Sequence, residues 1–251
     1  MKRIAILIGL IVTISCSKNK GIEQSFGTKL TSIEYQSNDK NWTENYTYSP
    51  NGKLNMVENF YSLGKRYEIT YQNDKWQQYT TYQIEEDRLI FRDSFLYNSD
   101  GTIQAIYNFS RNSGDDLPLS WIYEYEYNTE GKVFKKSTYF VTIEAYVSIE
   151  KYYWKGDNIE RAAYYNADGE LYYEYFYEYD DKVNYRKKLA INAADPINWS
   201  ENNVVKIKWK DYAGNLDLIC SPCEATYKYN LDNYPVEITN NWGRTLKLTY
   251  E

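Results

Sequence analysis

Cys220-Ser221-Pro222-Cys223 carries the two-residue spacing of a reactive dithiol. In a thioredoxin-like enzyme such a pair opens a helix after a strand, where backbone amides lower a thiol pKa. Here LDLI precedes the pair and EATYKYN follows it, both patterned as strands, with Ser221-Pro222 as the corner. In an exported chain, that context predicts a structural disulfide between Cys220 and Cys223. Two thiolates in a sequence with no histidine leave a zinc site short of ligands. The same lack of histidine removes Ser-His-Asp and Cys-His nucleophile systems. The NSDG and NADG turns share fragments with a calcium loop, but the acids that loop needs at its ends fall on Tyr164 and Tyr175. Glu85-Glu86, Asp115-Asp116 and Asp180-Asp181 raise two-carboxylate glycoside chemistry, yet sequence neighbours on a strand point to opposite faces. This reading names no catalytic residue, no metal ligand and no cofactor.

The elements that would position any site come from a repeated frame. YTYSPNGKL starts at Tyr46, FLYNSDGTI at Phe95, YEYNTEGKV at Tyr125 and YYNADGEL at Tyr164, with weaker copies at Tyr71, Tyr152, Tyr177, Asp211 and Tyr227. Anchor rings at 48, 71, 97, 127, 154, 179, 209, 229 and 250 recur at the interval of a hairpin. Asn or Asp early in each turn can bond the backbone two residues on, and Gly supplies the positive φ of a type I turn with a G1 bulge. Between turns, Trp121, Tyr123, Tyr125 and Tyr127 share one face, and Glu124 and Glu126 share the other. Val205, Ile207 and Trp209 likewise oppose Lys206, Lys208 and Lys210. Alternation with one wet face means antiparallel sheet.

Roughly 16 to 18 strands are too many for one flat twisted sheet. The expected fold is all-β: a long antiparallel meander of hairpins closing into a barrel-like or folded-over sheet, water-soluble and lipid-anchored. The tyrosine face is expected to be core, with a ligand-stacking platform as the alternative. In LYYEYFYEY, Tyr173, Tyr175, Tyr177 and Tyr179 should point inward while Glu174 and Glu178 meet water. Residues 112–120 read as a loop, and 184–203 as a loop covering a sheet end, with a functional lid as the alternative.

Lys2-Arg3, the apolar run Ile4–Ile14 and Ser15-Cys16 form a secretory leader with a lipobox-like end, in which Cys16 becomes the lipid attachment site. The division is a signal peptide at 1–15, a lipidated, polar tether at 16–28 and one all-β domain at 29–251. The tether carries Lys18 and Lys20 and no acidic run, which favours the periplasmic side of an outer membrane. A net charge of −6 argues against a nucleic-acid groove. With 30 Tyr against 8 Phe, the chain lacks the side chains for the apolar band of a membrane-embedded porin.

The frame YxYxxxGKL, with YEYDDKVN (177–184), SENNVVKI (200–207) and the closing YNLDNYPVEI and LKLTYE, resembles a family of Bacteroidota lipoproteins of unknown function. The resemblance covers about 28–251. It implies a porin-like β fold and no assigned activity. The YD repeats of the RHS class use a similar Tyr–turn–Gly unit to wrap large shells, for which this chain is too short. The resulting expectation is a cell-envelope lipoprotein acting as a non-enzymatic binding or structural module. Its partners would be the membrane, through the lipid anchor, and a glycan or envelope-protein ligand, with no nucleic acid. The alternative is a carbohydrate-active enzyme whose carboxylates converge only in the fold.

Overall fold

The computed structural model describes residues 29–37, 40–61, 64–111, 116–189, 196–212 and 223–251. Within them the strands are β1 (Leu30–Gln36), β2 (Asn41–Tyr48), β3 (Leu54–Asn59), β4 (Lys65–Gln72), β5 (Lys75–Gln83), β6 (Arg88–Tyr97), β7 (Ile103–Ser110) and β8 (Leu119–Tyr127). They continue as β9 (Val133–Phe140), β10 (Ala145–Lys155), β11 (Asn158–Asn166), β12 (Leu171–Val183), β13 (Asn202–Asp211), β14 (Cys223–Tyr229), β15 (Pro235–Asn240) and β16 (Thr245–Tyr250). Each pairs antiparallel with its sequence neighbour, and β1 pairs with β16, so the sheet is a closed barrel. A short helix α1 (Tyr185–Leu189) and a 3-10 turn at Pro196–Trp199 lie between β12 and β13. Among the described residues, no helix is long and apolar enough to cross a membrane.

Up-and-down connectivity gives the barrel two ends. Odd-numbered strands start, and even-numbered strands finish, at the end that holds both Lys29 and Glu251, whose backbones bond reciprocally at 2.8 and 3.0 Å. At this end the repeated frame has one structural meaning. The last ring of each even strand pairs in register with the start of the next strand, and a ring hydroxyl reaches back to a carbonyl at the start of the preceding one. Tyr48 is in register with Leu54 and donates to the Leu30 carbonyl. Tyr71 is in register with Trp76 and donates to the Leu54 carbonyl. Tyr97 donates to Trp76, Tyr127 to Ile103, Tyr179 to Ile159 and Tyr250 to Pro235. On β10, Trp154 substitutes its indole N–H, donating to the Val133 carbonyl at 2.6 Å.

The relay passes around the whole circumference, and its carbonyl acceptors include Leu30, Leu54, Val133, Ile159 and Pro235, all almost fully buried. A β-bulge falls at the register of each anchor, as a turn with an added residue requires. Gly101 and Gly131 close their turns at φ +92 and +74, where a Cβ would be strained. The Lys that follows the frame's Gly sits over the next anchor ring: Lys53 over Tyr71 at 4.9 Å and Lys132 over Trp154 at 5.8 Å.

Four expectations are corrected here. Position 209 is no anchor, because Trp209 lies near the far end of β13, paired with Tyr175. On β14 the relay donor is Tyr227, to the Val204 carbonyl at 2.8 Å, while Tyr229 turns to Asp180. YYNADGEL forms the expected turn, with Gly169 N–H to the Asn166 carbonyl at 3.1 Å, but at the opposite end and outside the relay. Of the loop expected at 112–120, Leu119 and Ser120 already belong to β8, and 112–115 lie outside the described residues.

The tyrosine face is the inside of the barrel. Two packed groups lie on it, one around Leu30, Ile33, Tyr46, Leu54 and Trp76, the other around Ile106, Tyr125, Val133, Tyr152 and Ile159, with Phe95 touching both. Outside, charges pair across strands: Lys135 with Glu126, Lys206 with Glu224, Lys208 with Glu178 and Lys228 with Glu237. These pairs put charge on the outer wall, beside exposed rings such as Phe134, Tyr153 and Phe176. Glu178 is exposed as expected, but Glu174 is only 5% exposed. Arg161 from β11 bonds it at 2.7 Å and Tyr212 at 2.5 Å, so two long side chains from flanking segments cover it.

Candidate functional site

The end that holds the termini is closed. Residues 184–189 and 196–203 pack over it, as the loop reading expected, and 190–195 lie outside the described residues. Tyr185 enters the first core group, and Trp199 stacks on Tyr127 with ring planes 5° apart. A polar clamp fixes the segment. Asn184 Nδ2 donates to the Ser200 carbonyl, the Tyr185 N–H donates to Asn203 Oδ1, and the buried Ser200 hydroxyl accepts from the Ile159 N–H. Each of these polar groups is buried with a partner, which is what makes the burial tolerable.

The inner face of the other half is different in kind. Glu44, on the same face of β2 as Tyr46, accepts from Tyr35 at 2.9 Å, Tyr46 at 2.7 Å and Asn59 at 2.6 Å. Asp93, on the face that carries Phe95, accepts from Asn108 at 2.6 Å, and burial raises its pKa from the ordinary carboxylate value. Glu150 pairs with Lys136 at 2.9 Å and accepts from Tyr152. The fields of these acids overlap: Tyr79 is held protonated first by burial and then by its neighbours, Asp93 and Glu44 among them. Tyr123 responds first to burial, then to Asp93 and Glu150. The carboxylates therefore face one shared interior.

Paired rings stand further toward the open end. Tyr35 and Trp42 stack at 4.6 Å with planes 6° apart, and Tyr61 meets Trp42 edge-on at 4.9 Å. Trp121 and Phe140 stack at 4.2 Å. Tyr164, Tyr173, Tyr175 and Trp209 form a third aromatic group. Trp42, Trp121, Phe140, Tyr173 and Tyr175 are half-exposed, in contrast to the nearly inaccessible residues of the closed end. A concave face lined by accessible rings, with a few fixed polar groups, is the physical description of a small-molecule site.

Cys16 and Cys220 lie outside the described residues, and with them both the lipid site and one half of the expected disulfide. Cys223 opens β14 half-buried, its thiol pKa raised by burial. Among the described residues, the acid pairs of the sequence do not converge, and Asp115 lies outside those residues. Glu86 bonds Arg88 in the β5–β6 turn, Asp180 accepts from Asn203 and Tyr229, and Asp181 is exposed. The acids that do converge, Glu44, Asp93 and Glu150, were legible only as lone carboxylates on the aromatic face of their strands.

No family model matches the sequence, and no curated protein does. Among solved structures, a porin-like protein from Bacteroides vulgatus ATCC 8482 matches with a TM-score of 0.57 at 13% identity, over 90% of this chain and 99% of that one. A porin-like protein from Bacteroides uniformis ATCC 8492 matches with a TM-score of 0.55 at 12% identity, over 88% and 96%. The likeness is one of fold: this chain closes the same kind of barrel over nearly the full length of both.

Proposed function

We propose that this chain is a non-enzymatic binding module of the bacterial cell envelope that takes the end of a glycan into the open half of its barrel. The observation that carries the reading is the asymmetry of the interior. One end is sealed by the ring relay and by residues 184–189 and 196–203, and the other presents partly exposed ring pairs around fixed carboxylates and amides. Ring faces suit the apolar faces of sugars, and amides and carboxylates suit their hydroxyls. Lipid attachment at Cys16 fits this orientation. The chain from Cys16 to Lys29 reaches at most roughly 45 Å when extended, so lipid attachment would hold the sealed end, where Lys29 lies, within that distance of the membrane.

Calorimetric titration with an oligosaccharide panel tests the reading. Trp42→Ala and Trp121→Ala should each weaken binding by about tenfold or more, as truncation of a central aromatic does. Absence of binding by the wild type to every member of the panel would overturn it. A second reading is favoured by one observation, the raised pKa of Asp93 inside the aromatic interior. A shift in that direction favours the protonated form that a glycoside-cleaving general acid uses. Hydrolysis of a bound oligosaccharide that disappears in Asp93→Asn would establish that reading in place of the first.

A further inference from the structure

The segment that seals the barrel also carries a charge into it. Arg186 is the second residue of α1, directly after the core residue Tyr185. Its Nε donates to the Tyr185 hydroxyl at 3.1 Å, and the guanidinium carbon lies 5.7 Å from the centre of that ring. The charge is felt by Tyr35 of β1 and by Tyr227 of β14, inward-facing residues of strands on either side of β16. Arg186 is therefore inside the ring of strands, yet it remains accessible to solvent. A position fronting a solvent-filled part of the interior satisfies both.

Its pairing is incomplete. Among the described residues, no carboxylate lies within ion-pair distance of Arg186; its backbone N–H donates to Asn184 Oδ1, and Tyr185 is the one hydrogen-bond partner of its guanidinium. The nearby acid of this wall, Glu44, is already committed to Tyr35, Tyr46 and Asn59. Lys136, another cation of the interior, is held by Glu150. The two terminal nitrogens of Arg186 thus present an unoccupied fork at the floor of the open half. A solvent-accessible guanidinium with no protein counter-charge can pair with an oxyanion offering two oxygens in one plane, in bidentate geometry.

We propose that Arg186 is an anion subsite that makes the ligand an acidic oligosaccharide, one whose carboxylate or sulfate is held by the terminal nitrogens of Arg186 while its sugar rings lie against the aromatic pairs above. The proposal rests on the glycan reading and adds the charge class to it. The end-on fork is the one available, because Nε is occupied by Tyr185. Lysine would keep the charge and lose the fork.

The experiment titrates the wild type, Arg186→Gln and Arg186→Lys with three oligosaccharides of one backbone: neutral, uronate-bearing and sulfated. The wild type should bind at least one acidic form about tenfold or more tightly than the neutral one, a ratio worth about 1.4 kcal/mol. Arg186→Gln should bring acidic and neutral ligands to equal affinity while leaving neutral binding within about twofold. Arg186→Lys should retain an intermediate preference, and carries the comparison if the glutamine variant does not fold. The uronate and sulfate arms show which oxyanion the fork takes. Equal affinities in the wild type, or a preference that survives in Arg186→Gln, would overturn the subsite and leave the glycan reading standing. If none of the three binds, the reading and the subsite fall together.

Discussion

The Tyr127 hydroxyl donates to the Ile103 carbonyl at 2.9 Å, while the Tyr127 backbone is in register with Val133 on the other side. One side chain thereby ties three successive strands together and forms one link of the relay that seals the barrel. Tyr127→Phe should cost about 1 kcal/mol in urea denaturation, the net worth of one hydrogen bond. Tyr127→Ala should cost about 3 kcal/mol or more, because it also removes the ring on which Trp199 stacks. Equal effects of the two substitutions would mean that the ring contributes nothing.

The relay makes stability sensitive to alkali. Burial raises the Tyr48 and Tyr71 phenols from 10.0 to about 12, and Tyr97, Tyr127, Tyr179 and Tyr250 are shifted in the same direction, burial again first. A raised folded-state pKa means that the unfolded chain loses these protons first. The stabilisation is thus complete below about pH 10 and is lost as pH rises through about 12. Circular dichroism and phenolate absorbance followed together should show unfolding and ionisation in that window as one cooperative event. Ionisation of most tyrosines near 10 with the fold intact would contradict it.

Glu174 is the residue whose environment departs furthest from its sequence appearance. Although it sits on the outer face beside the exposed Glu178, it is buried under Arg161 and Tyr212. Glu174→Ala should destabilise the barrel by about 1–3 kcal/mol, discounted because Arg161 is partly solvated. Glu178→Ala should leave the melting temperature unchanged. The reverse order in thermal melts would invalidate the burial argument.

Two expectations concern thiols. Cys16→Ala should abolish acyl labelling and release the protein from the membrane fraction, whereas retention in carbonate would place the anchor elsewhere. Cys220 and Cys223 should both resist alkylation in exported protein until reductant is added, with a contribution to stability of roughly 2 kcal/mol or less for so short a closed loop. Two freely alkylated thiols would rule the bridge out.

The hairpin architecture was legible because its determinants are local. Tyr127, Asn128, Gly131 and Val133 encode strand end, turn, left-handed bulge and strand start within a few residues. The same locality misled at position 209 and at YYNADGEL, since a ring beside a turn does not reveal which end of the barrel it occupies. Glu174 was misjudged because its covering partners, Arg161 and Tyr212, come from 13 residues before it and 38 after it. The convergence of Glu44, Asp93 and Glu150 depends on closure of the sheet, which no single strand encodes. Arg186 follows no periodic pattern. Its position is set by Tyr185 entering the core and by Asn203 holding the Tyr185 backbone.

The central claim, that the open half of the barrel is the binding site, is tested most directly by photo-crosslinking a bound oligosaccharide and mapping the labelled peptides. The label should fall on the inner-face segments containing Trp42, Tyr61 and Trp121, and should be lost in Trp42→Ala. Labelling of outer-wall residues such as Phe134 and Tyr153, with the inner-face segments untouched, would contradict it.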